Sequence, residues 1–216
     1  MKLLYFGDRH NQENKPSTRL DEFHLTNIKK DEEIMKIAKE NNVSAILHPG
    51  DFWDKPLASD EFVQEIIKRW KHPDLFNLVG QAKQNNKVNI ESIIDDYIPL
   101  IGIAGNHDLH GGDINSLNNT TTGLLDFIGI SKIVSKEKPY FLKTDDGLTV
   151  AITGTSYHSG IDLKENISDY IVEEKLADIH IHIVHGMLMT KAVSDDLFRH
   201  TLIDDILDTK ADITLC

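Results

Sequence analysis

Four short stretches hold most of the side chains able to do chemistry: Gly7-Asp8-Arg9-His10, Pro49-Gly50-Asp51-Phe52-Trp53-Asp54, Ala104-Gly105-Asn106-His107-Asp108 and Val184-His185-Gly186. Each follows an apolar run, so carboxylates, imidazoles and a carboxamide are presented at strand ends. A mixed oxygen and nitrogen donor set suits Mn²⁺, Fe or Zn²⁺ better than Mg²⁺, which prefers oxygen and water. Two such ions about 3.5–4 Å apart clamp a phosphoryl group and activate water, and one carboxylate has lone pairs enough to bridge them. An asparagine ligand is neutral and limits the negative charge around ions that must still attract a phosphate. A histidine next to it, left off the metal, serves the leaving oxygen as general acid. Each stretch alone has a plain alternative: Gly-Asp is a common turn, Asn-His suits an Asx-turn with a surface imidazole, and a lone histidine is often a packed one. Their order, and their shared place at strand exits, favours the chemical reading.

The elements that must position these residues can be read from periodicity. "KLLYFG", "VSAIL" and "YIPLIGI" are predicted strands, each broken by polar residues. Residues 11–24 are polar and aperiodic, hence a loop. Ile34, Ile37 and Ala38 have helical spacing and predict a helix over 31–42. A second helix is predicted over 59–71, with Ser59 as N-cap, Asp60 and Glu61 at the positive end of the dipole, and Lys68, Arg69 and Lys71 at the negative end. Residues 72–90 are polar and ambiguous. A loop is predicted over 111–123, followed by a short helix and its exit over 124–130. "YFLKT" and "LTVAITG" flank Asp145-Asp146-Gly147, a hairpin signal. Helices are predicted over 163–176 and 198–208, and strands for "IHIHIVHG" and "ADITLC". Strands alternating with helices, with one hairpin, indicate an α/β fold with mostly parallel pairing. Ligands bind such sheets beyond the carboxyl ends of the strands.

The bulk composition is compatible with this. The chain has 216 residues, 40% hydrophobic and 27% charged, enough for one core and one domain. The formal charge of −12, from 35 acidic and 23 basic residues, argues against non-specific coating of nucleic acid. It does not exclude a nucleic-acid enzyme whose metals supply the positive charge locally. The single cysteine, Cys216, rules out an internal disulfide framework, so a cytoplasmic setting is expected, or a host cytoplasm for a phage-encoded chain. The N-terminal apolar run is too short for a signal peptide, and no segment approaches the roughly 20 apolar residues that span a bilayer.

In order, "GDRH", "PGDFWD", "AGNHD" and "VHG" resemble four of the five motifs of the calcineurin-like metallophosphoesterases. The resemblance implies a four-layer α/β/β/α sandwich with a dinuclear site on one edge. Carried over residue by residue, it implies that Asp8 and His10 ligate one metal, Asp51 bridges both, and Asn106 and His185 ligate the other. His107 would touch the scissile phosphate and help the leaving group depart. The loop "NQENKPSTRLDEF", the stretch "GDFWDKP" and the strand exit "ITGTSYH" are similar to those of SbcD-type DNA repair nucleases and their phage recombination-endonuclease relatives. That closer resemblance implies a Mn²⁺-dependent DNA nuclease working with an SbcC-like ATPase, with a homodimer as one arrangement. The alternatives are a phosphoesterase for a cyclic nucleotide or phosphoprotein, and a catalytically incomplete subunit. The family's fifth motif, Gly-His-x-His, would follow a strand like "ADITLC" and is not present. The expectation is therefore a catalytic domain over 1–216 that is truncated at its C-terminus, short of two ligands, with weak metal binding and low activity.

Several further residues have two readings. Asp54 and Asp108 are expected to orient metal-binding neighbours. Arg19 either holds a phosphate or pairs with Asp21, and His110 either touches substrate or is a loop residue. His180 and His182 share one face of their strand and are read as a polar sheet face. His48 and His158 are left without a role. Trp53 and Trp70 are read as packing residues.

Overall fold

The computed structural model describes residues 1–70, 97–191 and 199–216. Among these the chain forms two four-stranded sheets. The first consists of β1 (Leu3–Tyr5), β2 (Ala45–His48), β3 (Leu100–Gly102) and β4 (Ser131–Ile133), in that order and all parallel. Next in the chain come β5 (Tyr140–Lys143), β6 (Thr149–Thr155) and β7 (Ile179–Val184), then a small parallel pair, β8 (Leu188–Met189) with β9 (Thr201–Leu202), and last β10 (Ile213–Leu215). The second sheet has the order β10-β7-β6-β5. Its strands β10, β7 and β6 are parallel, and β5 runs antiparallel to β6 across the predicted Asp145-Asp146-Gly147 turn.

Alternation along the strands decides which sheet face meets which layer. On β2, Ala45 and Leu47 point toward the second sheet, where they pack with Ile101, Ile103, Val150, Ile152, Ile181 and Ile183. Ile46 points the other way, into a core shared with α1 (Phe23–Glu40), α2 (Asp60–Arg69) and α3 (Thr121–Phe127). The helix-side core includes Met35, Phe62, Ile66 and Leu125, together with both tryptophans. Three of the four expected layers are therefore helix, sheet and sheet. Among the described residues the fourth is built from 3-10 turns, Lys164–Tyr170 and Ile203–Ile206, rather than α-helices.

Several predicted elements are corrected. The first helix starts at Phe23, so the loop ends earlier than residue 24. Its buried stripe runs Phe23, Asn27, Asp31, Met35 and Ala38, and two of those five are polar, which a search for apolar spacing passes over. The predicted loop over 111–123 holds two 3-10 turns and the start of α3, capped by Thr120 Oγ1 accepting from Gly123 N at 3.1 Å. The helix predicted over 163–176 is a 3-10 stretch broken at Asn166, followed by extended chain. There the backbone turns from helix to serve the sheet below it: Asp169 O accepts from His182 Nε2 at 3.0 Å and from Thr155 Oγ1 at 2.9 Å. The described part of the segment 198–208 is likewise not an α-helix: Thr201 and Leu202 pair with β8, and Ile203–Ile206 forms a 3-10 turn. The predicted end of the second helix at Lys71, the ambiguous segment 72–90 and Phe198 lie outside the described residues.

Candidate metal centre

Because β1, β2 and β3 are parallel, their carboxyl ends lie on one edge of the first sheet. The carboxyl end of β7 reaches the same place from the second sheet. Two hydrogen bonds stitch these exits together across the sandwich: His185 Nδ1 to Pro49 O at 2.8 Å, and Tyr157 N to Ala104 O at 2.8 Å. The exits enclose a cavity of about 530 Å³ lined by Asp8, Asp51, Asn106 and His185, with Tyr157 and Asp162 beside them.

Asp51 lines it and is buried. Its Oδ2 is 3.6 Å from His10 Nε2 and 3.6 Å from His185 Nε2, so one carboxylate oxygen faces an imidazole from each sheet. Its Oδ1 accepts from His107 N at 2.9 Å. Asp8, His10 and Asp51 offer ligand atoms that all lie within 4.8 Å of one another, and so do His10, Asp54 and His107. His10 and Asp51 both adopt positive φ, 45° and 47°. That conformation costs non-glycine residues of order 1–3 kcal/mol and persists only where neighbours over-determine it. Here Asp51 O accepts from Arg9 N at 3.1 Å and His10 N at 2.8 Å, which binds the two strained residues to each other. Gly105 allows the third exit to close on them, since a Cβ there would sit 2.1 Å from Asp51 Oδ1.

The donor set fits divalent cations. His185 Nδ1 meets a backbone carbonyl, an acceptor, so Nδ1 carries the proton and Nε2 a lone pair. That lone pair faces Asn106 Oδ1 at 3.0 Å and Asp51 Oδ2 at 3.6 Å. Three lone-pair atoms thus face one another, an arrangement that a cation satisfies. Among the described residues, His10 Nδ1 is also buried without a hydrogen-bond partner.

The remaining candidates divide. His107 Nδ1 contacts Asp54 O at 3.0 Å, and its ring lies edge-on to His10 at 4.7 Å. Asp54 is thus brought to the site by its carbonyl, while its Oδ1 is 3.9 Å from His10 Nδ1. Asp108 is fully buried and clamps two exits: it accepts from Gly105 N at 2.9 Å, Trp53 N at 3.0 Å and Thr122 Oγ1 at 3.1 Å. Burial raises its pKa, against the two backbone N–H groups that favour the carboxylate. Arg19 is not brought to the site. It pairs through two hydrogen bonds with Asp21, at 2.8 and 2.6 Å, and that pairing lowers the Asp21 pKa. His110 is tied into its own loop by Ser116 Oγ and Asn119 O.

Sequence reasoning missed a support behind the metal-facing loop. Arg9, between Asp8 and His10, turns inward and is 8% exposed. Its guanidinium donates to Asp31 Oδ1 at 2.8 Å, to Asn27 Oδ1 at 3.3 Å and to Asn27 O at 2.9 Å. Asp31 Oδ2 also receives Arg69 Nη1 at 3.3 Å, and Arg69 pairs with Glu65. The signal was the i, i+4 spacing of Asn27 with Asp31 and of Glu65 with Arg69. His48 was also unassigned. It is buried against Phe6 and Phe52, and burial lowers its pKa to about 3. His180 and His182 form a polar face as expected, but a buried one, linked through Thr153 Oγ1 at 2.9 and 2.8 Å.

Among the described residues no helix is long and apolar enough to cross a membrane. No curated protein matches the sequence. The family model of the calcineurin-like phosphoesterases matches residues 1–213. With the match covering nearly the whole length, and the strand exits arranged as described, the chain belongs to the calcineurin-like phosphoesterase family.

Proposed function

We propose that the chain is a metal-dependent phosphodiesterase acting on DNA, a nuclease of the SbcD type, with two divalent ions, Mn²⁺ foremost, in the cavity at the strand exits. The observation that carries the metal reading is the single Asp51 oxygen 3.6 Å from both His10 Nε2 and His185 Nε2. Family membership supports metal-dependent hydrolysis of a phosphoester. The choice of DNA rests on the resemblance of the loop after His10 and of "GDFWDKP" to those nucleases.

In this reading Asp8, His10 and Asp51 hold one ion, and Asp51, Asn106 and His185 hold the other. Ions bound there supply Lewis-acid polarisation of the phosphoryl group and a water nucleophile at neutral pH. The protein's own part is positional. The Pro49 carbonyl fixes the His185 tautomer, which keeps Nε2 available as a ligand. The Asp54 carbonyl does the same for His107, fixing the proton on Nδ1. This leaves Nε2 to carry a second proton to the leaving oxygen as general acid. Asp108 keeps the loops of Asp51 and Asn106 in register without touching substrate.

An SbcC-like ATPase and a second copy of the chain are the partners this reading carries with it. The test is hydrolysis of double-stranded DNA with Mn²⁺ by the wild type and by His107→Ala. Metal-dependent cleavage lost in the variant supports the reading. Hydrolysis confined to cyclic nucleotides or phosphoproteins would replace it with the small- or protein-substrate alternative. Folded protein with no turnover under Mn²⁺, Fe²⁺ or Zn²⁺ would favour a non-catalytic subunit.

A further inference from the structure

A second cavity adjoins the metal-facing one, and Tyr157 lines both. The exit of β6 delivers this side chain and the third strand exit locks it in place. Tyr157 N donates to Ala104 O at 2.8 Å, and Ser156 Oγ accepts from Ala104 N at 3.0 Å, so the two exits grip each other from both sides two residues before Asn106. The ring stands edge-on to His185 with centroids 5.9 Å apart. On another side it rests against Gly112, whose φ is +69° and where a Cβ would lie 2.7 Å from Tyr157 Cε1. The backbone of the aromatic wall is thus anchored, and its ring packs between His185 and Gly112.

The cavity beyond that wall has a volume of about 440 Å³, within the range of about 300–1,000 Å³ usual for small-ligand sites. Ile114, Leu117 and Val134 give it apolar surface, and Ser135 and Ser156 add hydroxyls. The cationic side chains lining it are already engaged. Lys138 pairs with Asp126 at 3.0 Å, His158 with Asp169 at 2.7 Å, and Lys136 donates to Ser168 O at 2.6 Å. A compartment whose cations are paired internally suits an uncharged group better than a second phosphate. Apolar walls, hydroxyls at the margin and one aromatic face match a nucleoside, which is flat and apolar on its faces and polar at its edges.

Resting on the phosphodiesterase reading, we propose that this compartment binds the nucleoside attached to the reacting phosphate, with Tyr157 as the wall on which its base packs. The phosphate then sits on the metal side of Tyr157 and the base on the far side.

The test uses two diesters that share p-nitrophenol as leaving group, thymidine 5′-(p-nitrophenyl phosphate) and methyl p-nitrophenyl phosphate, with Mn²⁺. Loss of one aromatic stacking partner weakens binding of a base by roughly tenfold. Tyr157→Ala is expected to lower kcat/KM for the thymidine ester about tenfold more than for the methyl ester, and Tyr157→Phe to restore the difference. Ile114→Trp, a substitution at a 41% exposed position on the far wall, should reproduce the selective loss without altering Tyr157. Equal losses on both esters would overturn the proposal, since a tyrosine that only props the loop affects every substrate alike. A readout free of catalysis is saturation-transfer NMR with thymidine and no added metal. Contacts are expected with the wild type and lost in Ile114→Trp, and contacts unchanged in that variant would also overturn the proposal. If neither ester is turned over but thymidine still binds in this way, the catalytic reading fails and the nucleoside compartment stands.

Discussion

Replacing Asp31 with alanine tests whether the support behind the metal-facing loop is as strong as its burial implies. Asp31 is fully buried and lies between Arg9, at 2.8 Å, and Arg69, at 3.3 Å. Removing the carboxylate leaves two guanidiniums out of water with one counter-charge fewer. Breaking a buried ion pair from one side costs about 3–5 kcal/mol. The lower part of that range applies, because Arg9 keeps both Asn27 oxygens and Arg69 keeps Glu65. Against a typical domain stability of about 5–15 kcal/mol, the loss is severe but need not unfold the chain. Urea denaturation in EDTA, followed by the fluorescence of the buried Trp53 and Trp70, measures it. A triple variant, Arg9→Met, Asp31→Leu and Arg69→Met, removes the charges together and should recover most of the loss, since apolar replacement of a buried ionic cluster is often neutral or stabilising. A cost below about 1 kcal/mol for Asp31→Ala, the range of an exposed pair, would refute the reasoning. It would mean that water reaches the cluster and that Arg9 does not hold the loop.

Other outcomes follow from the same geometry. His107→Ala should lower kcat by about 10²- to 10⁴-fold while calorimetric Mn²⁺ affinity stays close to wild type, because the role assigned to it is proton delivery and not ligation. His185→Ala should weaken Mn²⁺ binding itself, and unchanged binding in the same titration would remove it from the ligand set. Gly105→Ala places a methyl 2.1 Å from Asp51 Oδ1 and should abolish Mn²⁺-dependent activity, with circular dichroism showing the fold retained. For pH, His48 and His182 have pKa values lowered by burial to about 3 and about 4, below the roughly 6.5 of an unfolded histidine. Between those values the unfolded chain takes up protons that the folded chain does not. Stability is therefore full above pH 6.5 and falls as the pH drops toward 4, by about 1.4 kcal/mol per pH unit for each histidine. Urea midpoints in EDTA across pH 5–7.5 should show stability falling toward acid, and His48→Leu should make that fall shallower.

The parts of this protein that were readable from sequence are those where one residue type has one physical use. Apolar runs that end in Gly-Asp, Gly-Asn-His or His-Gly stand out in the sequence, and Asp8, Asp51, Asn106 and His185 from those four exits line one cavity. The parts that were not readable are those where a polar residue is buried against a partner far away in the chain. Asn27 and Asp31 look like the solvent face of a helix, yet they are core because Arg9 is there to receive them. The same exchange appears across the sandwich. His180 and His182 are buried because Thr153 and the Asp169 carbonyl complete their hydrogen bonds, and supplying that carbonyl coincides with a break in the helical pattern of residues 163–176. Hydropathy cannot report such pairs, since a side chain's cost of burial depends on a partner that periodicity does not see. Both buried polar groups lie behind residues that face the metal cavity, Arg9 beside Asp8 and His10 in sequence, and His182 on the strand that leads into His185. A site that must hold several like-charged and strained groups in place needs rigid polar anchoring beneath it. The errors in the sequence-based assignment of elements therefore fall beneath the site itself.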